Sequence, residues 1–355
     1  MSRLLRAFDA SGSNLRPEHR GGGGPIRNDV LRQIEENAER FGFRFTRDPK
    51  KADVLITNDA IPIELSGKIP AIKRMDGSFR IERLLARNAP HALAAAAADG
   101  VVFISSHAAK IHAALGGKTP GKRSVVLNAA DHRIFHPGGR GTPSKFPGRW
   151  CASATDWNRP EKRLADIVRL VAAAEKFGIS IELIGRPPEP GTPLAKLVGA
   201  VSAITFLGYV ETQAEMAAIM RRNDLMIHPA WSDSCPKTVA QAVAIGLPTI
   251  HSSTGGTPEM IPVGAGIAIE EEDRRLIVEN VPEIPADAAQ SAVERLFHSW
   301  TAISERADAF ARRQAISGQA FETMLSGYFS ALKVAAEASG NADAEGPPRQ
   351  RTLAL

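Results

Sequence analysis

Short runs of β-branched and aliphatic residues alternate with longer amphipathic stretches along the chain. This rhythm predicts parallel α/β folding, with apolar strands joined by helices that bury one side. In the first half, strands are expected near Leu4–Phe8, Phe43–Thr46, Val54–Thr57, Ala71–Arg74, Val101–Ser105 and Ser124–Leu127. Helical stretches fit at about 26–41, 80–98 and 107–115. The Pro/Gly-rich segment 135–143 can continue neither a helix nor an inner strand and reads as a linker. The rhythm then restarts, with strands near Trp150–Ser153, Ser180–Ile184, Ile204–Leu207, Leu225–His228, Thr249–His251 and Gly266–Ile269. Helices fit at about 160–177, 212–222, 236–245, 286–298 and 302–334, the last broken near Gly318. Two successive doubly wound units predict two Rossmann-like parallel-sheet domains facing an interdomain cleft, because open α/β sheets bind ligands at the carboxyl ends of their strands. The expected boundaries are 1–140, 141–317, a helix at 318–338 packing back on the first domain, and an unstructured tail at 339–355.

Composition narrows the class. A length of 355 residues suits two ordinary domains, and 43% hydrophobic with 23% charged residues suits a globular protein. No apolar run reaches the ~18–20 residues of a membrane span, and the Ala-rich run from Ala92 stops at Asp99. The first six residues lack the apolar stretch of a secretory signal, so a cytoplasmic location is expected. Cys151 and Cys235 form no C-x-x-C, which excludes a disulfide scaffold or a zinc knuckle. The net charge of +5 hides an asymmetry: residues 1–150 carry 25 Lys/Arg against 14 Asp/Glu, and residues 151–355 carry 19 against 25.

Common motifs fail one by one. Gly22-x-Gly24 is followed by Arg27 where a dinucleotide fingerprint needs its third glycine, and His112 stands where a P-loop ending at Gly117-Lys118-Thr119 needs its first. His132 and His136 are four apart, but Pro137 argues against a helical metal face. No D-x-D and no nucleophile elbow occurs, and no aromatic–basic interleaving speaks for nucleic acid. What remains are loop-to-helix junctions suited to anions. Gly21 to Gly24 precede the first helix, where backbone N–H groups could approach a phosphate; a plain surface loop is the alternative. Lys162 is expected in the first turn of a helix, a position a cation occupies against the macrodipole unless an anion is near; a simple surface lysine is the alternative.

The segment His228–Pro248 is the most informative. Ser234 reads as an N-cap with Pro236 in the first turn of a helix that ends at Gly246. Asp233 just before that helix and Gln241 two turns inside it can face one side of a groove. Thr249–Ser253 then leads into Thr254-Gly255-Gly256-Thr257-Pro258-Glu259. Two strand–loop–helix units tipped with Gly, Ser and an acid make a polar rim, or capping and turn chemistry alone.

At these residues the chain resembles the retaining GT-B glycosyltransferases of family 4, the group 1 glycosyl transferases. Phe103-Ile104-Ser105-Ser106 is similar to the family's "vi-x-S" segment, and Asn128 to Pro137 to its "NGVD…F-x-P" linker. Lys162 matches its "KG" step with Arg163 where glycine is usual. Phe206 to Val210, Ala244 to Pro248 and Gly255 to Glu259 match further motifs in the family's order. Lys73-Arg74-Met75-Asp76-Gly77 is similar to an "R-x-D-G" element of a subset.

The resemblance implies a GT-B fold and transfer of a sugar from a nucleotide-diphosphate donor to a hydroxyl acceptor with retained configuration. It implies no metal or other cofactor, the nucleotide sugar being a co-substrate. Lys162 and Asp233 would be catalytic, the lysine as cation at the departing diphosphate. Gly22, Gly23, Gly24, Ser234, Cys235, Pro236, Lys237, Thr238 and Gln241 would bind the donor, and Arg74 and Asp76 would lie on the acceptor side. Gln241 replaces the usual second Glu of an E-x7-E pattern, Ala154 and Thr155 stand near a usual Arg, with Arg159 as the nearest substitute, and Ala129 replaces the linker glycine. A non-catalytic nucleotide-sugar-binding relative and a GT-B-fold epimerase or hydrolase are the alternatives. The basic first half implies an anionic glycan or glycolipid acceptor, as in polysaccharide biosynthesis, or peripheral contact with the inner membrane face.

Overall fold

The computed structural model describes residues 4–11, 25–140 and 146–340. The expected glycine loop Gly22–Gly24 and the tail from residue 341 lie outside these. The described residues up to Asn128 and from Glu322 form one unit, and Ala129–Phe321 form the other.

The first unit is built on a six-stranded parallel sheet of β1 (Leu5–Asp9), β2 (Phe43–Phe45), β3 (Val54–Thr57), β4 (Ala71–Met75), β5 (Gly100–Phe103) and β6 (Arg123–Val125). Their order is β2-β1-β3-β4-β5-β6. The crossovers are α1 (Pro25–Asn37), α2 (Ala89–Ala97) and α3 (Ser106–Ala114). Ser105 caps α3, its side chain accepting from the Ala108 N–H at 3.0 Å and so satisfying one orphan donor of the first turn. β3 and β4 are buried along their whole length; β3 accordingly reads as an apolar run, whereas β4 carries Lys73 and Arg74 inside, each held by hydrogen bonds.

The second unit carries β7 (Arg149–Asp156), β8 (Ser180–Arg186), β9 (Ile204–Gly208), β10 (Leu225–His228), β11 (Thr249–Ser252) and β12 (Gly266–Ile269). All pairs are parallel, in the order β12-β11-β10-β7-β8-β9. The order reverses between β7 and β10, so the crevice at their carboxyl ends is the topological switch point of this sheet. Both faces are covered. Trp150 and Ala152 of β7 point into one core with Ile167 and Val171 of α4 (Leu164–Ala173) and Val293 and Leu296 of α8 (Ala286–Ser317). Cys151, between them, points into the other, with Met220 of α6 (Gln213–Arg222) and Ile245 of α7 (Lys237–Ile245).

Every expected strand forms. Two helical expectations change here. The break expected between 298 and 302 is absent: α8 runs unbroken to Ser317 because Trp300 and Ile303 continue its buried stripe. It ends at Gly318, left-handed at φ 59°, before α9 (Gln319–Gly340). A short helix α5 (Pro193–Gly199) was not expected, although Thr192 caps it and Pro193 opens it. The second unit also starts at Ala129, earlier than residue 141. Phe135 is buried in its core, Arg221 donates to the carbonyls of Ile134 (2.5 Å) and His136 (3.0 Å), and Arg140 donates to that of Gly246. The residues from Glu322 belong with the first unit, where Tyr328 bonds Arg74 and Phe329 stacks on Phe41 at 4.5 Å.

Among the described residues no helix is long and apolar enough to cross a membrane.

Candidate active site

The centre of the second unit forms where β7 and β10 end side by side. After β7 the chain makes a 3-10 turn, Pro160–Lys162, and then Arg163 takes left-handed angles (φ 54°, ψ 47°) before α4 begins. Lys162 therefore stands just before the cap residue Arg163 and outside the helix, not in its first turn as expected. After β10 the chain makes a second left-handed turn at Ser232 (φ 53°) and presents Asp233. Each such turn costs roughly 1–2 kcal/mol relative to glycine, and both sit beside a charged side chain of the site. The backbone N–H of Trp231 donates to the carbonyl of Glu161 at 2.9 Å, tying the two loops together.

The result is a 2.6 Å ion pair between Lys162 Nζ and Asp233 Oδ2, with side chains 16% and 19% exposed. A pair this accessible can still meet a ligand, and the ammonium has two N–H donors besides the one it gives Asp233. Burial by itself would raise the Asp233 carboxyl; the Lys162 charge, with help from His228, outweighs it and holds the group far below the usual carboxylate range. His228, the last residue of β10, places Nε2 3.4 Å from the same oxygen. Burial lowers its pKa, so the imidazole is neutral and Lys162 is the cation that balances Asp233.

A third loop closes on this pair. Gly255 (φ 83°) lies against the Asp233 backbone: a Cβ there would stand 2.5 Å from the Asp233 carbonyl oxygen and 2.8 Å from its nitrogen. The Gly256 N–H donates to the Asp233 carbonyl at 2.8 Å. Only glycine permits this approach, which is the physical content of the Gly-Gly pair seen in the sequence. Beside it, the Thr257 hydroxyl is fully buried and has no hydrogen-bond partner among the described residues.

The expected N-cap role of Ser234 is not realised. α7 starts at Lys237, and its cap residue is Pro236, which has no side chain able to bond the first turn. The backbone stays extended through Pro236 (φ −67°, ψ 119°), so the first helical residue is Lys237. Ser234 and Thr238 are half-buried, and Cys235 is buried with its sulfur 3.5 Å from that of Met260. Lys237 is 4% exposed, and burial brings its pKa down to about 7. Gln241 is buried on α7, where its amide donates to the Gln213 side-chain oxygen at 2.8 Å and leaves its own Oε1 without a partner. Arg159 does not take up the place of the absent arginine: its guanidinium binds Glu161 at 2.8 Å, at the surface.

In the first unit the structure brings Arg74 and Asp76 together at the end of β4. All three Arg74 nitrogens are engaged, Nε on the Tyr328 hydroxyl (2.8 Å), Nη2 on Asn128 Oδ1 (3.0 Å) and Nη1 on Asp76. With its side chain 3% exposed, Arg74 spends its charge inside and orients Asp76, which is 20% exposed. Lys73 beside it is buried on the Asn58 carbonyl at 2.5 Å.

His228, Gln213, Ser252, Thr254, Thr257 and Glu271 join the second-unit site without having been singled out. The sequence signal was position: His228 ends a predicted strand and Thr254 and Thr257 lie in the loop after the next one; in the structure His228 pairs in register with His251, one residue before the end of β11. Among the described residues no group of three or more His, Cys, Asp and Glu side chains is placed to hold a metal ion.

With this geometry in view, the likenesses to known proteins fall into place. Residues 151–287 match the family model described as Glycosyl transferases group 1. The second unit resembles the group 1 glycosyl transferases. D-inositol 3-phosphate glycosyltransferases of Mycobacterium bovis and Mycobacterium tuberculosis are 27% identical over 179 residues, 47% of this chain and 36% of theirs. The chain thus spans about a third of the length of the curated relatives it matches. Among solved structures, a glycosyltransferase from Rickettsia africae ESF-5 superposes with a TM-score of 0.69 at 12% identity, covering 96% of this chain and 100% of that one. Anabaena HepE in complex with UDP and glucose gives 0.64 at 13% identity, covering 90% and 99%. WaaG, a glycosyltransferase involved in lipopolysaccharide biosynthesis, gives 0.59 at 13%, covering 95% and 100%. The fold is GT-B, two parallel α/β units in one chain, as expected from the motifs.

Proposed function

We propose that the protein is a retaining glycosyltransferase of the hexosyltransferase type that moves a sugar from a nucleotide diphosphate to a hydroxyl acceptor. The observation that carries this reading is the Lys162–Asp233 pair at the switch point, closed by Gly255 and Gly256. Lys162 directs its remaining donors at the departing diphosphate, and the first turn of α7, with Lys237 at its head, brings a helix N-terminus and a second cation. Asp233, held ionised, accepts from donor-sugar hydroxyls. Gln241 Oε1, buried and unpartnered, accepts from a nucleoside hydroxyl. These side chains supply the charge stabilisation, and the reading calls for no metal or other cofactor. Likeness to a protein solved with UDP and glucose supports a nucleotide sugar as co-substrate.

The acceptor is read from the first half. Its excess of basic residues includes exposed Arg83, Arg87, Lys110, Lys118, Lys122 and Arg123, while Lys73 and Arg74 are internal. We propose a glycan or glycolipid acceptor with anionic groups, met in the cytoplasm or at the inner face of a membrane, in polysaccharide biosynthesis. Asp76, oriented by Arg74, faces the acceptor side.

The test is a panel of nucleotide sugars against neutral and anionic acceptors. Nucleoside diphosphate is released only when donor and acceptor are both present, and the product keeps the donor's anomeric configuration. Release that ignores the acceptor would instead indicate a hydrolase or epimerase.

A further inference from the structure

The two left-handed turns that present Lys162 and Asp233 are joined beneath the site by one continuous chain of polar contacts. Arg163, whose side chain is 1% exposed, grips both oxygens of Glu271, Nη1 to Oε1 at 2.8 Å and Nη2 to Oε2 at 2.7 Å. The same guanidinium donates to the carbonyls of Pro229 (3.3 Å) and Pro282 (2.7 Å). Glu271 Oε1 accepts from the Ser252 hydroxyl at 2.5 Å. Ser252 Oγ is 2.6 Å from Thr254 Oγ1 and accepts the Thr254 N–H at 2.9 Å. Thr254 Oγ1 in turn accepts the N–H of Ser232 at 3.1 Å. Because Ser252 gives its proton to the carboxylate, Thr254 must give its own to Ser252. Every donor then points the same way, from Ser232 to Glu271, and Arg163 closes the far end.

Neither end of this chain is a residue that favours its backbone conformation. Arg163 stands where glycine would relax the turn, and Ser232 is the other non-glycine residue with positive φ among the described residues. Strain of this kind persists only where surrounding contacts over-determine it. The side chain that strains the first turn is also the one that anchors the network.

We propose that Arg163 and Glu271 are positioning residues that act through Ser252 and Thr254, locking the Lys162 and Asp233 turns in register so that the two charges meet. This deepens the glycosyltransferase reading of the same site but does not depend on turnover to be tested. Removing a link lets either turn relax, and Lys162 and Asp233 separate.

The experiment compares the wild-type chain with Glu271→Gln and Ser252→Ala. Ser252→Ala breaks the chain without leaving a buried charge alone, so it decides the matter even if Glu271→Gln does not fold. The substrate-free readout is the carboxyl carbon resonance of Asp233, assigned by loss in Asp233→Asn and followed against pH. Lys162 and His228 are the charged and titratable groups facing it. In the wild type Asp233 is fully ionised at pH 4; in each folded variant its midpoint rises by about one unit or more as Lys162 recedes. With a donor and acceptor that are turned over, kcat falls roughly 10–100-fold, the scale of an ångström's misplacement. An Asp233 whose midpoint in Ser252→Ala stays at the wild-type value overturns the proposal whatever the rates show. A shifted Asp233 in a protein whose wild type turns over no nucleotide sugar upholds it and removes the glycosyltransferase reading instead.

Discussion

Replacing Asp233 by Asn isolates the charge at the centre of the second unit. The amide keeps the shape and can still accept from Lys162, so the loss is electrostatic. At 2.6 Å the gross attraction is about 6 kcal/mol at an effective dielectric of 20, and desolvation of both groups takes back most of it. Exposed pairs are worth about 0.2–1 kcal/mol and breaking a buried pair costs about 3–5. With the side chains 16% and 19% exposed, a destabilisation of about 2 kcal/mol is expected at pH 7. All four tryptophans, Trp150, Trp157, Trp231 and Trp300, lie in the second unit, so urea unfolding followed by tryptophan fluorescence reports that unit alone. The pH dependence follows from the lowered carboxyl pKa. The unfolded state binds the proton first, so the stabilisation is complete above about pH 5. Below about pH 4 it shrinks at up to roughly 1.4 kcal/mol per unit. A stability gap below 0.5 kcal/mol, or one equally large at pH 7 and pH 3.5, would refute the reasoning; both thresholds are of order RT.

Four further outcomes follow from the same geometry. Gly255→Ala places a methyl 2.5 Å from the Asp233 carbonyl at φ 83°; it should cost about 2–4 kcal/mol and weaken nucleotide-sugar binding in calorimetry, whereas wild-type affinity would show the loop does not touch the donor. Gln241→Glu buries a carboxylate 3% exposed beside the Gln213 side chain; the free protein should lose about 1–3 kcal/mol, with part of it recovered when donor binds. Lys237, with its pKa lowered to about 7 by burial, should make nucleotide-sugar affinity rise as pH falls from 8 to 6, because the diphosphate diester does not titrate there; flat affinity rules the ammonium out of the site. His251, buried and lowered to about 4, should show no imidazole titration near 6.5 by NMR. Since its folded pKa lies below the unfolded one, it withdraws up to about 3 kcal/mol of stability as pH falls from 6.5 to 4.

Much of this was legible from pattern. The inner strands were visible because they are buried on both faces, and the turns around Gly246, Gly255 and Gly318 because glycine suits left-handed or crowded backbone. Lys162, Asp233 and Gln241 were singled out by their places at loop-to-helix junctions, and the resemblance supplied the roles expected of them. What escaped were contacts that change no periodicity. The cap of α7 moved from Ser234 to Pro236 because the backbone stays extended through Pro236, at ψ 119°. Arg159 turned to Glu161 for want of any buried partner, and Arg74 turned inward to Tyr328, 254 positions away.

By itself, then, the sequence determined two rounds of parallel α/β winding and the loops in which charged residues would fall, because burial and backbone geometry are written locally. Which of those loops meet was decided by tertiary structure alone. Lys162 and Asp233 are 71 positions apart, and they touch because β7 and β10 lie side by side where the sheet order reverses. Glu271 lies farther still, 108 positions from Arg163, on the loop after β12, and no local pattern marks it. Pairing of distant strands brought these groups within hydrogen-bond reach, and their charges acquire a shared task only there.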